Sequence, residues 1–406
     1  MTRTAVALVV LSFAAPAAAQ EFGREWIDRV THQLEAERGP LKTKPVEWHV
    51  MGGVAYQFDD NIYLQEEDEV DDSIIIPFVG LSASYADPKF EAEGDLLANY
   101  KIYADEDDLD DDEQRLYVKL RQVGSRFSLG VEEIFQRVSD PLDVVFVDRA
   151  ERIVSNTIGR VTYDLTRQWI VEGYANYQIV RFEGDDLDEI NNNLFRGEGS
   201  LIYRSASGLD LVGQVGWMNI SYTDGQSEGS PPDAWGWYAR GGVRGELLPR
   251  LTVQALAGWS LIESDYFAGT STDVEDETVD AAVNLLYEAT ETVKVFVDFS
   301  RLYTFGATAG EPFQIVNRAL ALITVEATPT VSFRARAQFD FLQGVESDLE
   351  RTFISVGGGA TVRPAEWIIL DAGVTFRSGE TEFDIPGSDS LEFDNLIFQV
   401  GAALTY

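Results

Sequence analysis

From Val46 to Tyr406 the chain repeats one rhythm: an alternating apolar and polar segment, a short turn, a second such segment, then a long acidic loop. The segment 89–103 shows it most cleanly. Phe90, Ala92, Gly94, Leu96, Ala98, Tyr100 and Ile102 share one face, and Lys89, Glu91, Glu93, Asp95, Asn99 and Lys101 share the other, with Leu97 the one apolar intruder. A period of two is what a strand with a single apolar face produces. The segment 331–341 repeats it, with Val331, Phe333, Ala335, Ala337, Phe339 and Phe341 opposite Ser332, Arg334, Arg336, Gln338 and Asp340. Two places blur. In 313–326 both faces carry aliphatics, and Glu133 falls on the apolar face of its strand, as a bulge or a lumen-facing contact would allow.

Eighteen such segments follow one another. The short connections are 86–88, 124–125, 165–167, 205–208, 248–249, 289–292, 327–330 and 364–365, rich in residues that reach turn dihedrals cheaply. They alternate with nine longer acidic segments, which puts all short turns on one side. The predicted fold is all-β: a transmembrane, antiparallel, up-and-down barrel of about 18 strands over 46–406, with a short N-terminal helix. Trp48, Phe58, Phe127, Phe135, Trp169, Tyr203, Trp217, Trp235, Trp259 and Tyr287 cluster toward strand ends on the apolar face, as headgroup-level girdles do. The last strand, Asn395 to Tyr406, alternates throughout and ends on an aromatic residue. It has the form that the outer-membrane barrel assembly machinery recognises.

Ahead of the barrel, 1–19 read as a secretory signal peptide: Arg3, an apolar run, then Ala17-Ala18-Ala19. In 20–45, Trp26, Val30 and Leu34 recur every four residues beside Ile27, and Gly39-Pro40 provide a stop. This predicts an amphipathic helix that plugs the lumen, rests on the periplasmic rim, meets a partner or stays a mobile leader.

Charge sharpens the topology. The net charge of −38 is confined to the segments assigned as outer loops, 59–72, 105–113, 139–148, 183–191, 223–234, 263–278, 306–312, 344–350 and 378–394, which hold 43 Asp or Glu and no Lys or Arg. The rest of the chain is close to neutral, so these segments share one environment. Catalytic chemistry finds no support. The only histidines are His32 in the leader and His49 at the start of the first strand, far from the outer loops, and neither a nucleophile elbow nor a phosphate loop is present. Cysteine is absent. We expect no enzyme, no cofactor and no nucleic-acid partner. The acidic runs offer weak metal candidates, Asp105, Asp107, Asp110, Asp112, Glu67 and Asp71, without the spacing of a calcium loop. Diffuse Ca²⁺ or Mg²⁺ condensation is the expectation.

The strand phases place both signs of charge on the inner face. The cations are Lys101, Lys119, Arg121, Arg160, Arg196, Arg240, Arg244, Arg334, Arg336 and Arg377. The anions are Glu91, Glu93, Asp95, Glu172, Glu198, Glu246, Asp298, Asp340 and Asp371. They either set the field of an aqueous lumen or pair across strands to tie the wall.

The first hairpin runs from Gly53 through Phe58-Asp59-Asp60-Asn61-Ile62-Tyr63 and returns as Ser73-Ile74-Ile75-Ile76-Pro77-Phe78 up to Tyr85. It resembles the opening of the beta-barrel porin-2 family and of outer-membrane proteins associated with exopolysaccharide loci. The resemblance implies a complete barrel and brings no ligand residues. The expected role is passive passage of small hydrophilic solutes in the outer membrane, in contact with lipid and lipopolysaccharide, through an acidic vestibule with mild cation preference. A glycan-export or envelope-biogenesis barrel, or an adhesive barrel bridged by divalent cations, is the alternative. The sequence sets no oligomeric state.

Overall fold

The computed structural model describes residues 46–66, 69–139, 141–143, 146–149, 151–183, 190–206, 208–223, 233–264, 274–308, 311–345, 349–382 and 391–406. The expected signal peptide, the leader helix and Glu67 lie outside them. Twenty strands are formed among these residues. They are β1 (Val46–Asp59), β2 (Asp72–Ala86), β3 (Phe90–Tyr103), β4 (Asp111–Val123), β5 (Phe127–Val138), β6 (Pro141–Asp143), β7 (Phe146–Arg149), β8 (Arg152–Asp164), β9 (Trp169–Phe182) and β10 (Asn192–Tyr203). The rest are β11 (Leu209–Tyr222), β12 (Ala234–Leu248), β13 (Leu251–Ser264), β14 (Val274–Glu288), β15 (Val293–Thr308), β16 (Glu311–Thr328), β17 (Val331–Gly344), β18 (Glu350–Ala365), β19 (Ile368–Glu382) and β20 (Leu391–Thr405). The short β6 and β7 pair only with each other, in the acidic connection between β5 and β8. The other eighteen form one antiparallel sheet in chain order.

The sheet closes on itself. β1 pairs with β2 along its whole length and with β20 from Met51↔Thr405 to Asp59↔Ile397. Closure leaves no unpaired edge, the condition under which strands can span lipid. The two faces are inverted relative to a water-soluble globule. Val54, Leu96, Val161, Val215, Trp217, Trp237, Trp259, Phe339 and Phe398 are exposed, whereas Asp298, Asp340, Asp371, Arg351 and Arg377 are buried. Aromatic residues stand on the exposed face near both ends, Trp48, Trp169 and Trp367 at the short-turn rim and Trp217, Trp237 and Trp259 in the outer halves of their strands.

Boundaries moved more than strands did. Pro364 and Ala365 still belong to β18, and the turn is Glu366-Trp367. The β12–β13 turn is Pro249-Arg250, with Arg250 at φ 70°. On the outer side, Asp111 to Glu113, Val274 to Thr278, Ser378 to Glu382 and Leu391 to Asp394 are strand, so the wall rises into the acidic segments. Glu133 causes no break in pairing. It lies opposite Thr157 on the outer face, where the hydroxyls of Ser155 and Thr157 both donate to its carboxylate.

Candidate functional site: the inner wall and the outer rim

Antiparallel register puts directly paired residues on one face, so the inner face can be followed around the barrel. Its charges meet as pairs. Glu91 and Arg121 lie 3.4 Å apart, Glu93 and Lys119 3.1 Å, and Glu113 and Lys101 2.8 Å, all between β3 and β4. Glu132 on β5 holds Arg160 on β8. Arg318 on β16 grips Asp340 on β17 through two bonds of 2.8 Å.

Three pairs skip strands. Arg244 on β12 binds Glu172 on β9 with two bonds of 2.8 Å, across β10 and β11. Arg240 on β12 reaches Asp280 on β14 at 2.5 Å. Arg334 on β17 clasps Asp371 on β19 at 2.7 and 2.6 Å, and Thr361 on the intervening β18 donates to the same carboxylate at 2.6 Å. All three chords lie on the face that carries the buried Asp340 and Asp371. Two-point guanidinium–carboxylate bonds are among the stronger polar contacts available.

Arg196 pairs with Glu198 at 2.6 Å. Tyr238 donates to the same carboxylate, and the guanidinium groups of Arg196 and Arg240 lie 5.3 and 4.2 Å from the centroid of its ring. Space for this ring comes from Gly216, its register partner, where a Cβ would overlap it. Arg336 donates to Gln338 at 2.5 Å, and Arg377 is buried on β19. Asp95 is half-buried in register with Tyr117 and Ser82. Asp298 is 1% exposed on β15. Glu246 shares the face of Arg244, in register with Thr252. It sits at the exposed short-turn end of β12, where its carboxylate accepts the Arg250 backbone N–H at 3.3 Å. The register shifts only beyond it, between Glu246 and Leu248.

Sequence reasoning missed an apolar side of this wall. Met51 and Ala55 of β1, Ile74, Ile76 and Phe78 of β2, Leu97 and Tyr103 of β3, Ile369 of β19 and Ala403 of β20 form one buried cluster. Between His49 and Asp59 on β1, and between Asp72 and Ala86 on β2, no charged side chain lies on the inner face. The cluster interlocks: Phe78 lies over Gly53 and Met51 over Gly80. Leu97, the intruder in an otherwise polar face, belongs here. The signal was available in the run Ile74-Ile75-Ile76-Pro77-Phe78-Val79, apolar on both faces and so covered on both.

At the outer rim the acidic residues do structural work. The Asp72 carboxylate accepts backbone N–H groups from Ser73, Ala104, Asp105 and Glu106, binding the first outer connection to the second. Among the metal candidates, Asp110 accepts the Tyr103 N–H at 2.8 Å and Asp112 accepts Arg137 at 3.0 Å. Asp107 opens a single 3-10 turn, and Asp71 directly precedes the Asp72 clasp. Among the described residues no group of three or more His, Cys, Asp or Glu is spaced to hold a metal ion. Arg137 also binds Glu151 and Glu183. Burial, then Asp111 and a bond from Glu183, push the Glu151 carboxyl above its ordinary range against the pull of Arg137.

The Asp59-Asp60-Asn61 run that carried the family resemblance locks the barrel seam. Asn61 is fully buried; its amide donates to the carbonyls of Gln65 at 2.7 Å and Asp394 at 2.9 Å, and it accepts the Gln65 N–H at 2.9 Å. In return Asn395 donates to the Asp59 carboxylate at 2.5 Å and to the Asn61 carbonyl at 3.1 Å. Asp60 accepts the Leu396 N–H at 2.5 Å. Burial raises the Asp60 pKa, with the Leu396 bond opposing and Asp59 adding to the rise.

No family model matches the chain, and no curated protein matches it. The porin-2 resemblance therefore remains a likeness of the first hairpin. Among solved structures, the outer membrane protein OpdK from Pseudomonas aeruginosa is similar at 11% identity and a TM-score of 0.47, over 89% of this chain and 99% of that one. OccK2 (OpdF) from the same organism, solved in complex with glucuronate, is 11% identical with a TM-score of 0.45, over 89% and 98%. The FrpB iron transporter from Neisseria meningitidis (F5-1 variant) is 9% identical with a TM-score of 0.47, over 89% and 82%. The eighteen-strand closure described above rests on this chain's own strand pairing.

Proposed function

We propose that this protein is an outer-membrane channel for passive passage of small hydrophilic solutes, with an acidic outer mouth and a mild preference for cations. The observation that carries the reading is the inversion of the two faces around a closed sheet: apolar residues exposed on the convex side, ion pairs gathered on the concave one. Convex apolar surface of this extent is costly in water and is stabilising in lipid. A barrel of this strand number is wide enough to hold an aqueous passage. Because its wall charges are mostly neutralised in pairs, ion preference falls to the mouth, where acidic segments without a single Lys or Arg concentrate cations.

Purified protein in planar bilayers is expected to give discrete conductance steps; a silent protein would instead mark a purely structural or adhesive barrel. In a salt gradient the reversal potential should report cation preference at about 0.1 M salt. It should fade toward 1 M, where the Debye length shrinks to about 3 Å. Anion preference at low salt would overturn the mouth argument.

The lipid-facing assignment has its own test. Val215 is 62% exposed at the middle of β11. Val215→Lys should destabilise the barrel in lipid vesicles by about 2–3 kcal/mol, because a cation at mid-bilayer on the outer face is expensive. Urea titration of the two proteins side by side measures it, and an unchanged midpoint would place that face in water.

A further inference from the structure

We propose that the outer part of the β15–β16 hairpin is a flap that gates the passage, tucked inside the wall in this structure and able to zip back into it. The inference rests on the channel reading and deepens it by naming what narrows the bore. Three observations carry it.

The first is a break in the wall. β14 and β15 pair from Glu288↔Lys294 only as far as Ala281↔Arg301. Beyond that point β14 runs on to Val274 against β13, and β15 runs on to Thr308 against β16. Among the described residues, Thr278 to Asp280 and Leu302 to Thr304 have no ladder between them.

The second is which faces meet. By alternation, Arg301 and Tyr303 share the lipid-facing side of β15 with the exposed Phe299, whereas Asp276 and Thr278 share the inner side of β14 with the buried Asp280. Yet the Tyr303 hydroxyl donates to the Asp276 carboxylate at 2.6 Å, and Arg301 donates to the Thr278 hydroxyl at 3.2 Å. Tyr303 and Phe313 meet edge to face at 5.9 Å and are buried with Met218, Ile220, Ala234 and Ile262, which stand on the inner face of β11 to β13. The outward side of one layer therefore lies against the inward side of the other. Phe313, Gln314 and Val316 are 0%, 4% and 8% exposed, so this stretch is covered on both faces, as its aliphatics on both faces require. Packed layers lie about 10 Å apart, and the overlap takes about that much from one side of the bore.

The third is register. Continued without a shift, the β14–β15 pairing sets Val279 opposite Tyr303 and ends by joining Val274 to Thr308, the outer end of each strand. The two free edges thus match in length. Zipped, Tyr303 would stand beside Val279 and the exposed Trp259 with which Val279 pairs, a position suited to an aromatic girdle. The tucked flap is held to β14 by side chains and the zipped one by backbone bonds, so each arrangement has its own favourable contacts.

The native chain has no cysteine, so an introduced pair reports cleanly. Thr278→Cys and Thr304→Cys face each other in the zipped register, whereas in the tucked flap Thr304 lies on the side of β15 turned away from Asp276. The full chain carrying both is reconstituted in liposomes and treated with copper phenanthroline. We expect a disulfide, forming roughly fivefold faster or more once Tyr303→Phe removes the hydroxyl latch, as loss of a hydrogen bond to a charged group allows. In planar bilayers oxidation should raise unit conductance by about half, and reduction should reverse the rise. Absence of the disulfide in both backgrounds overturns the flap, and a disulfide that leaves conductance unchanged overturns its gating role. If the double variant fails to assemble, Tyr303→Phe alone decides: its closed dwell times should shorten roughly fivefold, and unchanged dwell times overturn the latch. No current from any variant overturns the channel on which the gate rests, while the disulfide still reads the flap, so the two failures are distinguishable.

Discussion

Asp371→Ala is expected to destabilise the barrel by about 3–5 kcal/mol, the range for removing one partner of a buried ion pair. Asp371 accepts two guanidinium bonds from Arg334 and one hydroxyl bond from Thr361. The side chains are 4% and 14% exposed, so the charge left on Arg334 would have little water to turn to. The pair also joins β17 to β19 over β18, and its loss lets three strands relax together. The wall-tying role is separable from charge. Replacing both partners with apolar residues of similar size, Arg334→Met with Asp371→Leu, should recover most of the loss, because desolvation is then no longer opposed by an unpaired ion. Equilibrium unfolding by urea in lipid vesicles measures all three variants and yields the coupling energy. A near-zero coupling would mean the two groups are solvated independently and that the lumen there is wider than their contact implies.

The distinction matters for the channel. Opposed rows of unpaired charge would make a transverse field in the bore, whereas paired charges make a stiff and electrically quiet wall. Bidentate pairs at Arg244–Glu172, Arg318–Asp340 and Arg334–Asp371 favour the second for much of the circumference. Discrimination among solutes then falls to the mouth and to the bore.

Much of this was legible in the chain before any coordinates. Alternation in 89–103 and 331–341 assigns faces directly, because a strand has a period of two and lipid tolerates only one kind of surface. Strand ends were harder. Asp111-Asp112-Glu113 looks like loop to any hydrophobic criterion, yet the ladder continues through it above the apolar band. The buried apolar cluster was hidden by an assumption, that the face opposite the lipid must be polar, which Ile74-Ile75-Ile76 contradicts on inspection. Pairings across two or three strands, such as Arg244 with Glu172, depend on curvature and register, which pattern alone does not carry. Asp59-Asp60-Asn61 stood out as a motif, but its partner is 333 residues away.

That partner makes Asn61→Ala the second large expected effect, a loss of about 3–5 kcal/mol concentrated at the outer end of the seam. The β1–β20 ladder ends at Asp59↔Ile397, and beyond it the seam is held mainly by side chains. Alanine removes the donors to Gln65 and Asp394 and the acceptor for the Gln65 N–H, in a site with no exposure to water. Each buried group left without a partner costs about 1–3 kcal/mol. Asn61→Asp should fare no better, since a carboxylate keeps the acceptor but loses both donors and faces the Asp394 carbonyl. Asn395→Ala should give a related loss by freeing Asp59 from the other side, and the double variant should cost less than the sum because the two amides form one reciprocal lock. The readouts are the urea midpoint and limited proteolysis in intact vesicles, with new cleavage expected between Asp60 and Glu66 while the short-turn rim stays protected. Uniform loss of protection along the chain would show that the lock stabilises the whole barrel and not its outer seam.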